Sequence, residues 1–279
     1  MSATREEVVR ITVSMTITCL LGAAVLGGIY IGTERYQEAA RVASEKSAIA
    51  QMLRLPAQAK VREVRQFLAP GGRGVVYQEV DFGAAGGPSH QLEFTLDGRL
   101  VSNGTAPALP PEGRKDLPSL GRTFVADLGG APAGFVVEGV TRGYKNKIRF
   151  LVALTRDFHI AGVRVVEHEE DPGLGAEVAT SWFQGQFLGR AAQDMGALSV
   201  TRDPMPEDWR GALASLQRED LAEWSAKYAA LLQREKSKPI YAVTGATISS
   251  RALTGGVSAT VDHFQRRWEL ISPYLGGGR

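Results

Sequence analysis

Cysteine is almost absent from this chain of 279 residues, since Cys19 is the only one. A single cysteine excludes an internal disulfide and a cysteine-ligated iron–sulfur cluster. The four histidines, at positions 90, 159, 168 and 263, show none of the spacings that are typical of metal ligands. We therefore predict no metal site and no thiolate chemistry.

An excess of one charge is also missing: 32 Lys and Arg face 30 Asp and Glu, and the formal net charge is +2. No block of like charge and no basic stretch with interleaved aromatics indicates a nucleic-acid surface. The sequence contains no Gly-x-Gly-x-x-Gly strand-to-helix unit and no base paired with a nucleophile. We expect no nucleic-acid partner and no complete catalytic site within the chain.

Charge is absent altogether from residues 11–33, which lie between Arg10 and Glu34. At 1.5 Å per residue this segment is long enough to cross a hydrocarbon core of about 30 Å. Its length, and the lack of an Ala-x-Ala cleavage pattern, predict a retained transmembrane helix rather than a removed signal peptide. Basic residues flank the segment on both sides and leave its orientation open.

The remaining chain predicts an α+β protein of antiparallel strands with flanking helices. Residues 34–69 indicate a helical stalk interrupted at Pro56, followed by a domain over 70–279. Within that domain, 103–121 holds four prolines and predicts an irregular loop. Residues 206–235 indicate an inserted helix, whose aromatic residues suit either a core or a docking surface for a partner.

Two hairpins are predicted from alternating apolar residues. Gln91–Val101 turns at Asp97-Gly98, a favoured two-residue turn. The runs 148–154 and 160–166 are β-branched and meet around Arg156-Asp157. The second hairpin leads into residues 168–175, His-Glu-Glu-Asp-Pro-Gly-Leu-Gly, a turn that can present backbone N–H groups and one apolar side chain to a planar ligand.

The most informative stretch is Thr244-Gly245-Ala246-Thr247, followed by two serines. Apolar residues at helical spacing from Leu253 to Trp268 predict an amphipathic helix after it, capped by Ser249 or Ser250. A hydroxyl ahead of a helix N-terminus lies where unpaired N–H groups favour an anion such as phosphate. The residues alone are equally compatible with an ordinary loop and helix cap.

Together these motifs resemble the FMN-binding domain of the G subunit of the Rnf electron-transport complex, which is similar to NqrC of the sodium-pumping NADH:quinone reductase. Gly143-Tyr144, the 168–175 loop, Trp182-Phe183 and the Thr-Gly-Ala-Thr-x-Ser string occur in the family's order. The resemblance covers about 130–190 and 238–270. It implies FMN bonded through its phosphate to Thr247.

The remaining site residues are carried over from the same resemblance. It implies a ring-binding loop at Glu170, Asp171, Leu174 and Gly175, with Thr244, Gly245, Ala246 and Ser249 around the attachment point. Two positions depart from the family, which commonly has Thr at Asp171 and Asp at Tyr241. That Asp belongs to the signature associated with the flavin transferase ApbE, the implied maturation partner.

The resemblance also implies a function. The chain would be the electron-transfer subunit, carrying covalent FMN, of a membrane-bound, ion-translocating ferredoxin:NAD oxidoreductase, with other membrane and redox subunits as partners. Its first ten residues would be cytoplasmic, and its soluble domain would lie on the periplasmic side of the inner membrane. An NqrC-like subunit of a quinone reductase and a membrane-anchored flavin-binding regulatory module are the alternatives.

Overall fold

The computed structural model describes residues 5–56, 59–83, 86–216 and 218–275. The helices are α1 (Arg5–Leu53), α2 (Ser181–Gly185), α3 (Glu207–Ser215), α4 (Leu221–Lys227), α5 (Ala229–Glu235) and α6 (Thr247–Ile271). The strands are β1 (Lys60–Leu68), β2 (Gly74–Asp81), β3 (Pro88–Thr95), β4 (Leu100–Pro107), β5 (Gly113–Arg114), β6 (Leu117–Leu128), β7 (Ala131–Arg142), β8 (Lys147–Thr155), β9 (Ile160–Glu167), β10 (Val200–Thr201) and β11 (Ile240–Tyr241). Short 3₁₀ turns lie at Pro70–Gly72, Gly175–Ala179, Ala192–Ala197 and Ser272–Tyr274.

The chain divides into two compact units, Met1–Ala48 and Ile49–Arg279. The first consists of most of α1. Its stretch Val9–Gly27 has a mean hydropathy of 1.8 and is long and apolar enough to cross a membrane. This overlaps the span expected at 11–33, although the helix itself continues without a break to Leu53.

The helical stalk expected over 34–69 is wrong in its second half. The helix ends at Leu53, because Arg54 adopts a left-handed φ of 50° and Pro56 follows. Lys60–Leu68 then form β1, which lies between β2 and β6 inside the sheet. The charged residues of β1 look like a solvated helix face in sequence, but Arg65 and Glu63 form a buried ion pair on the sheet.

The main sheet is antiparallel and runs in the order β4-β3-β2-β1-β6-β7-β8-β9, with β5 paired to β6. Helix α6 packs on one face through its buried apolar stripe. The stripe comprises Leu253, Val257, Val261 and Phe264. Both predicted hairpins are present, as β3–β4 with Gly98 at φ 82° and as β8–β9 with Phe158 at φ 56°. The predicted α+β class is confirmed.

The irregular loop expected over 103–121 is largely wrong. Strand β4 continues to Pro107 and β6 begins at Leu117, so only a short turn around Pro110 remains irregular. Pro107 is tolerated at the end of β4 because β4 is an edge strand, and a missing N–H on its open side removes no hydrogen bond of the sheet.

Residues 206–235 form three short helices, α3 to α5, rather than one. Asp220 caps the start of α4, where its carboxylate accepts hydrogen bonds from the backbone N–H groups of Ala222 and Glu223. Trp209 and Trp224 are buried in a second apolar cluster that includes Tyr241. These two aromatics are therefore core residues, as one of the two alternatives predicted. We call α3–α5 the inserted helices.

Candidate functional site

Helix α6 begins at Thr247, the residue for which the sequence implies flavin attachment. Gly245 has φ +78°, a left-handed conformation that glycine adopts without strain, and it turns the chain into the helix. No side chain of the described residues caps the helix at Ala246. The first N–H groups of α6 therefore have no side-chain acceptor among the described residues, and Thr247 beside them is half-buried.

The expected capping by Ser249 or Ser250 is wrong, because the helix already begins at Thr247. Both serines are buried in its first turn. The hydroxyl of Ser250 donates to the Ala246 carbonyl (2.9 Å) and accepts from the N–H of Val243 (3.0 Å). Ser250 thereby holds the loop that carries the attachment motif against the helix.

Glu170 joins this helix to the turn between β7 and β8, and it is only 4% exposed. Its carboxylate accepts from the backbone N–H groups of Tyr144 (3.1 Å), Lys145 (2.9 Å) and Asn146 (3.4 Å). The hydroxyl of Ser249 donates a further short hydrogen bond. Burial alone would raise the pKa of Glu170, but these donors lower it below its ordinary value. We call this group the Glu170 anchor.

Two glycines make the anchor possible. A Cβ on Gly143 would lie 2.4 Å from Oε1 of Glu170, and one on Gly175 would lie 2.7 Å from its Oε2 and 2.8 Å from Oγ of Ser249. Neither position leaves room for a side chain. Gly175 therefore has a packing reason to be glycine, independent of any ligand.

The 168–175 loop and the attachment motif are in contact. A Cβ on Gly245 would lie 3.0 Å from a methyl group of Leu174. Leu174 is nonetheless 47% exposed, and Tyr144 and Ile248 are 66% and 58% exposed. Large apolar side chains of the two motifs and of the β7–β8 turn thus remain open to solvent.

Asp171 is not an isolated carboxylate. The ammonium of Lys145 lies 2.9 Å from its Oδ1, and this hydrogen bond raises the pKa of Lys145 above its ordinary value. Both side chains are exposed. The negative charge that departs from the family pattern is therefore paired with a positive charge on the neighbouring turn.

Buried polar side chains hold the strand that leads into the motif. The amide of Gln186 accepts from the Tyr241 N–H (2.8 Å) and donates to its carbonyl (3.2 Å). Arg190 donates to the carbonyls of Glu235, Lys236 and Lys238 at the end of α5. Burial lowers the pKa of Arg190 to about 10. These contacts fix the inserted helices to the body of the domain.

Tyr241, at the other departure from the family, is tied to the inserted helices. It is 8% exposed, and its hydroxyl donates to Glu235 (3.1 Å). Glu235 is itself buried and pairs with Arg234 (2.7 Å) and Lys238 (3.0 Å). The tyrosine thus satisfies a buried carboxylate that the insertion contributes.

Sequence reasoning identified the two motifs but missed most of what joins them. It did not assign roles to Tyr144, Lys145 and Gln186, which the structure places around the motifs. The Gly143-Tyr144 pair was the signal that the sequence offered for the turn. Within the described residues, no group of three or more His, Cys, Asp or Glu side chains is placed to hold a metal ion.

Comparison with known proteins identifies the same region. Residues 143–262 match the family model of the FMN-binding domain. The G subunit of the proton-translocating ferredoxin:NAD(+) oxidoreductase complex of Clostridium ljungdahlii is 31% identical over 154 residues, which are 55% of this chain and 62% of that protein. The G subunit of the Na(+)-translocating complex of Acetobacterium woodii is 27% identical, over 51% of this chain and 54% of that protein.

Among solved structures, Shewanella oneidensis NqrC superposes with a TM-score of 0.42 and 20% identity, covering 69% of this chain and 86% of that one. The chain spans between about half and two thirds of the curated relatives named above. Residues 143–262 therefore resemble an FMN-binding domain, within a chain that is similar to the G subunits of ion-translocating ferredoxin:NAD(+) oxidoreductase complexes.

Proposed function

We propose that this chain carries FMN through a phosphoester to Thr247. The observation that carries the proposal is the position of its hydroxyl, on the first residue of a helix that no described side chain caps. Free N–H groups and the helix dipole at that end favour a phosphate. The match of the FMN-binding domain across this residue supports the identity of the group.

The residues around Thr247 fit the rest of such a group. Gly245 brings the backbone close, while exposed Leu174 and Tyr144 offer apolar surface to a planar ring. Glu170 and Ser249 hold the two motifs in place rather than contact the flavin, because their side chains are hydrogen-bonded to each other. Bound FMN would supply electron exchange in steps of one or two. The protein's own part is to tether, orient and partly shield it.

We further propose that the chain is the electron-transfer subunit of a membrane-bound, ion-translocating ferredoxin:NAD oxidoreductase complex. The names of its relatives support this assignment, and the apolar stretch Val9–Gly27 supports anchoring in the membrane. The domain that follows would lie on the extracytoplasmic side. An ApbE-like transferase would attach the flavin, and the other subunits would supply its electron donor and acceptor.

Expression with and without a flavin transferase tests the attachment. The wild-type chain should give a fluorescent band on a denaturing gel only with the transferase, and Thr247→Ala should abolish the band because a phosphoester needs the hydroxyl. Thr247→Ser should keep some label, and Thr244→Ala should weaken the label without abolishing it, because the acceptor hydroxyl remains. A labelled Thr247→Ala protein would refute the assignment. Copurification in mild detergent with redox subunits tests the larger assignment.

A further inference from the structure

A cleft of about 710 Å³ opens beside the attachment motif, between the inserted helices and the body of the domain. Its lining comes from residues 180–182, from residues 202–205, from Arg210 and Ala214 of α3, and from Tyr241, Ala242 and Thr244. The segments that follow β10 and β11 lie side by side, because these two strands pair in parallel. Its volume is that of a typical site for a small organic ligand. We call it the arginine cleft.

Two guanidinium groups in this cleft have no partner. Arg202 and Arg210 are exposed, and neither side chain makes a hydrogen bond or ion pair with the residues that the structure describes. Nearby Arg190 and Arg234 are, by contrast, fully engaged. Each guanidinium presents parallel N–H donors in a planar fork, a geometry that suits a carboxylate, phosphate or sulfonate.

The remaining lining is mostly apolar and is held in place. The indole of Trp182 packs edge-on against Phe183, with ring centroids 5.7 Å apart, and Met205 also lines the cleft. Tyr241 is fixed through its hydroxyl by Glu235. Aromatic and thioether surfaces of this kind suit a planar apolar body.

The charge balance of the cleft is positive. Asp203 is the one carboxylate in its lining, and this group already accepts from the hydroxyl of Thr201 (2.6 Å). Two guanidiniums against one carboxylate leave one positive charge in excess. Ser181 and Thr244 add further polar residues to the lining.

We propose that the arginine cleft binds a small planar aromatic molecule that bears one anionic group, as a site separate from the tethered flavin. Arg202 and Arg210 would hold the anion, while Trp182, Met205 and Tyr241 would pack against the ring. The ligand would lie beside Thr244, three residues from the flavin tether. Thr247 itself does not line the cleft.

Calorimetric titration of the full chain in detergent tests this, with 2-naphthoate as the probe and 2-naphthamide as its neutral counterpart. The naphthoate should bind more tightly than the amide. Arg202→Gln and Arg210→Gln should each weaken naphthoate binding by about tenfold, because each removes a charge-assisted contact. Arg218→Gln, an exposed arginine outside the cleft, is the control and should bind like wild type.

The titration is run on protein made with and without a flavin transferase, and both forms should bind the probe. Absence of binding, equal affinity for the amide, or an equal loss in Arg218→Gln would each overturn the proposal. Binding that disappears on flavinylation would also overturn it, since the flavin itself would then fill the cleft. Because unflavinylated protein suffices for binding, failure of flavin attachment at Thr247 would leave this result standing.

Discussion

The attachment motif, Thr244–Thr247, has two sides of opposite character. On one side, the Glu170 anchor satisfies a buried carboxylate with four donors. On the other side, the arginine cleft leaves two guanidiniums without partners among the described residues. Satisfied buried polar groups rigidify a site, whereas unpaired charges in an open cleft are available to a ligand. The first region therefore positions the motif, and the second is built to bind.

Removing the Glu170 carboxylate breaks the positioning side and should have the largest effect. Glu170→Ala leaves three backbone N–H groups and the Ser249 hydroxyl without their acceptor. We expect the free energy of unfolding to fall by about 3 kcal/mol, measured by urea denaturation. Glu169→Gln is the matched control, because that neighbour is exposed and should change stability little. Equal losses of unfolding free energy in both variants would mean that the hydrogen bonds of Glu170 do not stabilise the fold.

Substitutions of Tyr241, which lines the arginine cleft, should affect stability less than loss of the Glu170 carboxylate. Tyr241→Phe keeps the ring but removes the hydroxyl that donates a hydrogen bond to Glu235. We expect it to lower the free energy of unfolding by about 1 kcal/mol. Tyr241→Asp should cost more, since it removes the aromatic wall and sets a second carboxylate near Glu235. Tyr36→Phe, at an exposed position in α1, is the control. An Asp variant as stable as wild type would contradict the role given to Glu235.

Acid should weaken the Glu170 anchor selectively. Because its pKa in the folded state is lowered from the ordinary value of 4.5, the anchor contributes its full stability above that value. This contribution is lost as the pH falls through the lower, folded-state pKa. Urea midpoints of wild type should therefore drop more steeply below about pH 4.5 than those of Glu170→Gln. Parallel pH profiles would show that Glu170 does not titrate as inferred.

The exposed pair of Lys145 and Asp171 should have the smallest effect on stability, because solvent screens it. Its influence should appear in the flavin instead. Lys145→Gln leaves a negative charge near the ring and should lower the reduction potential, whereas Asp171→Asn leaves a positive charge and should raise it. Spectroelectrochemical titration of the flavinylated variants measures both. Reduction-potential shifts of the same sign in both variants would mean that the charges of this pair do not act on the flavin.

Local patterns predicted the elements around the site well. The two hairpins and the buried stripe of α6 were readable because alternation and helical spacing are properties of neighbouring residues. The prediction of a helical stalk was wrong at β1, because contacts with distant parts of the chain determine that strand. The charges at Glu63 and Arg65 are accommodated by partners on other strands and loops, which no local pattern records.

The site was predictable only in part. The motifs at 168–175 and 244–247 were recognisable, and the structure brings them into contact through Leu174 and Gly245. The bond between Glu170 and Ser249 joins residues 79 positions apart and could not be read from either motif alone. The arginine cleft was missed, because Arg202 and Arg210 look like any solvated arginine until the fold brings both into the lining of one cleft.

The most direct test of the account is the chemical identity of the attachment residue. Trypsin should release Ser237–Arg251 as one peptide, because Pro239 protects the bond after Lys238. We predict that this peptide from protein coexpressed with a flavin transferase gains the mass of FMN less one water, and that fragmentation places the gain on Thr247. A gain on Thr244, on any of the three serines, or on no residue of this peptide would contradict the account.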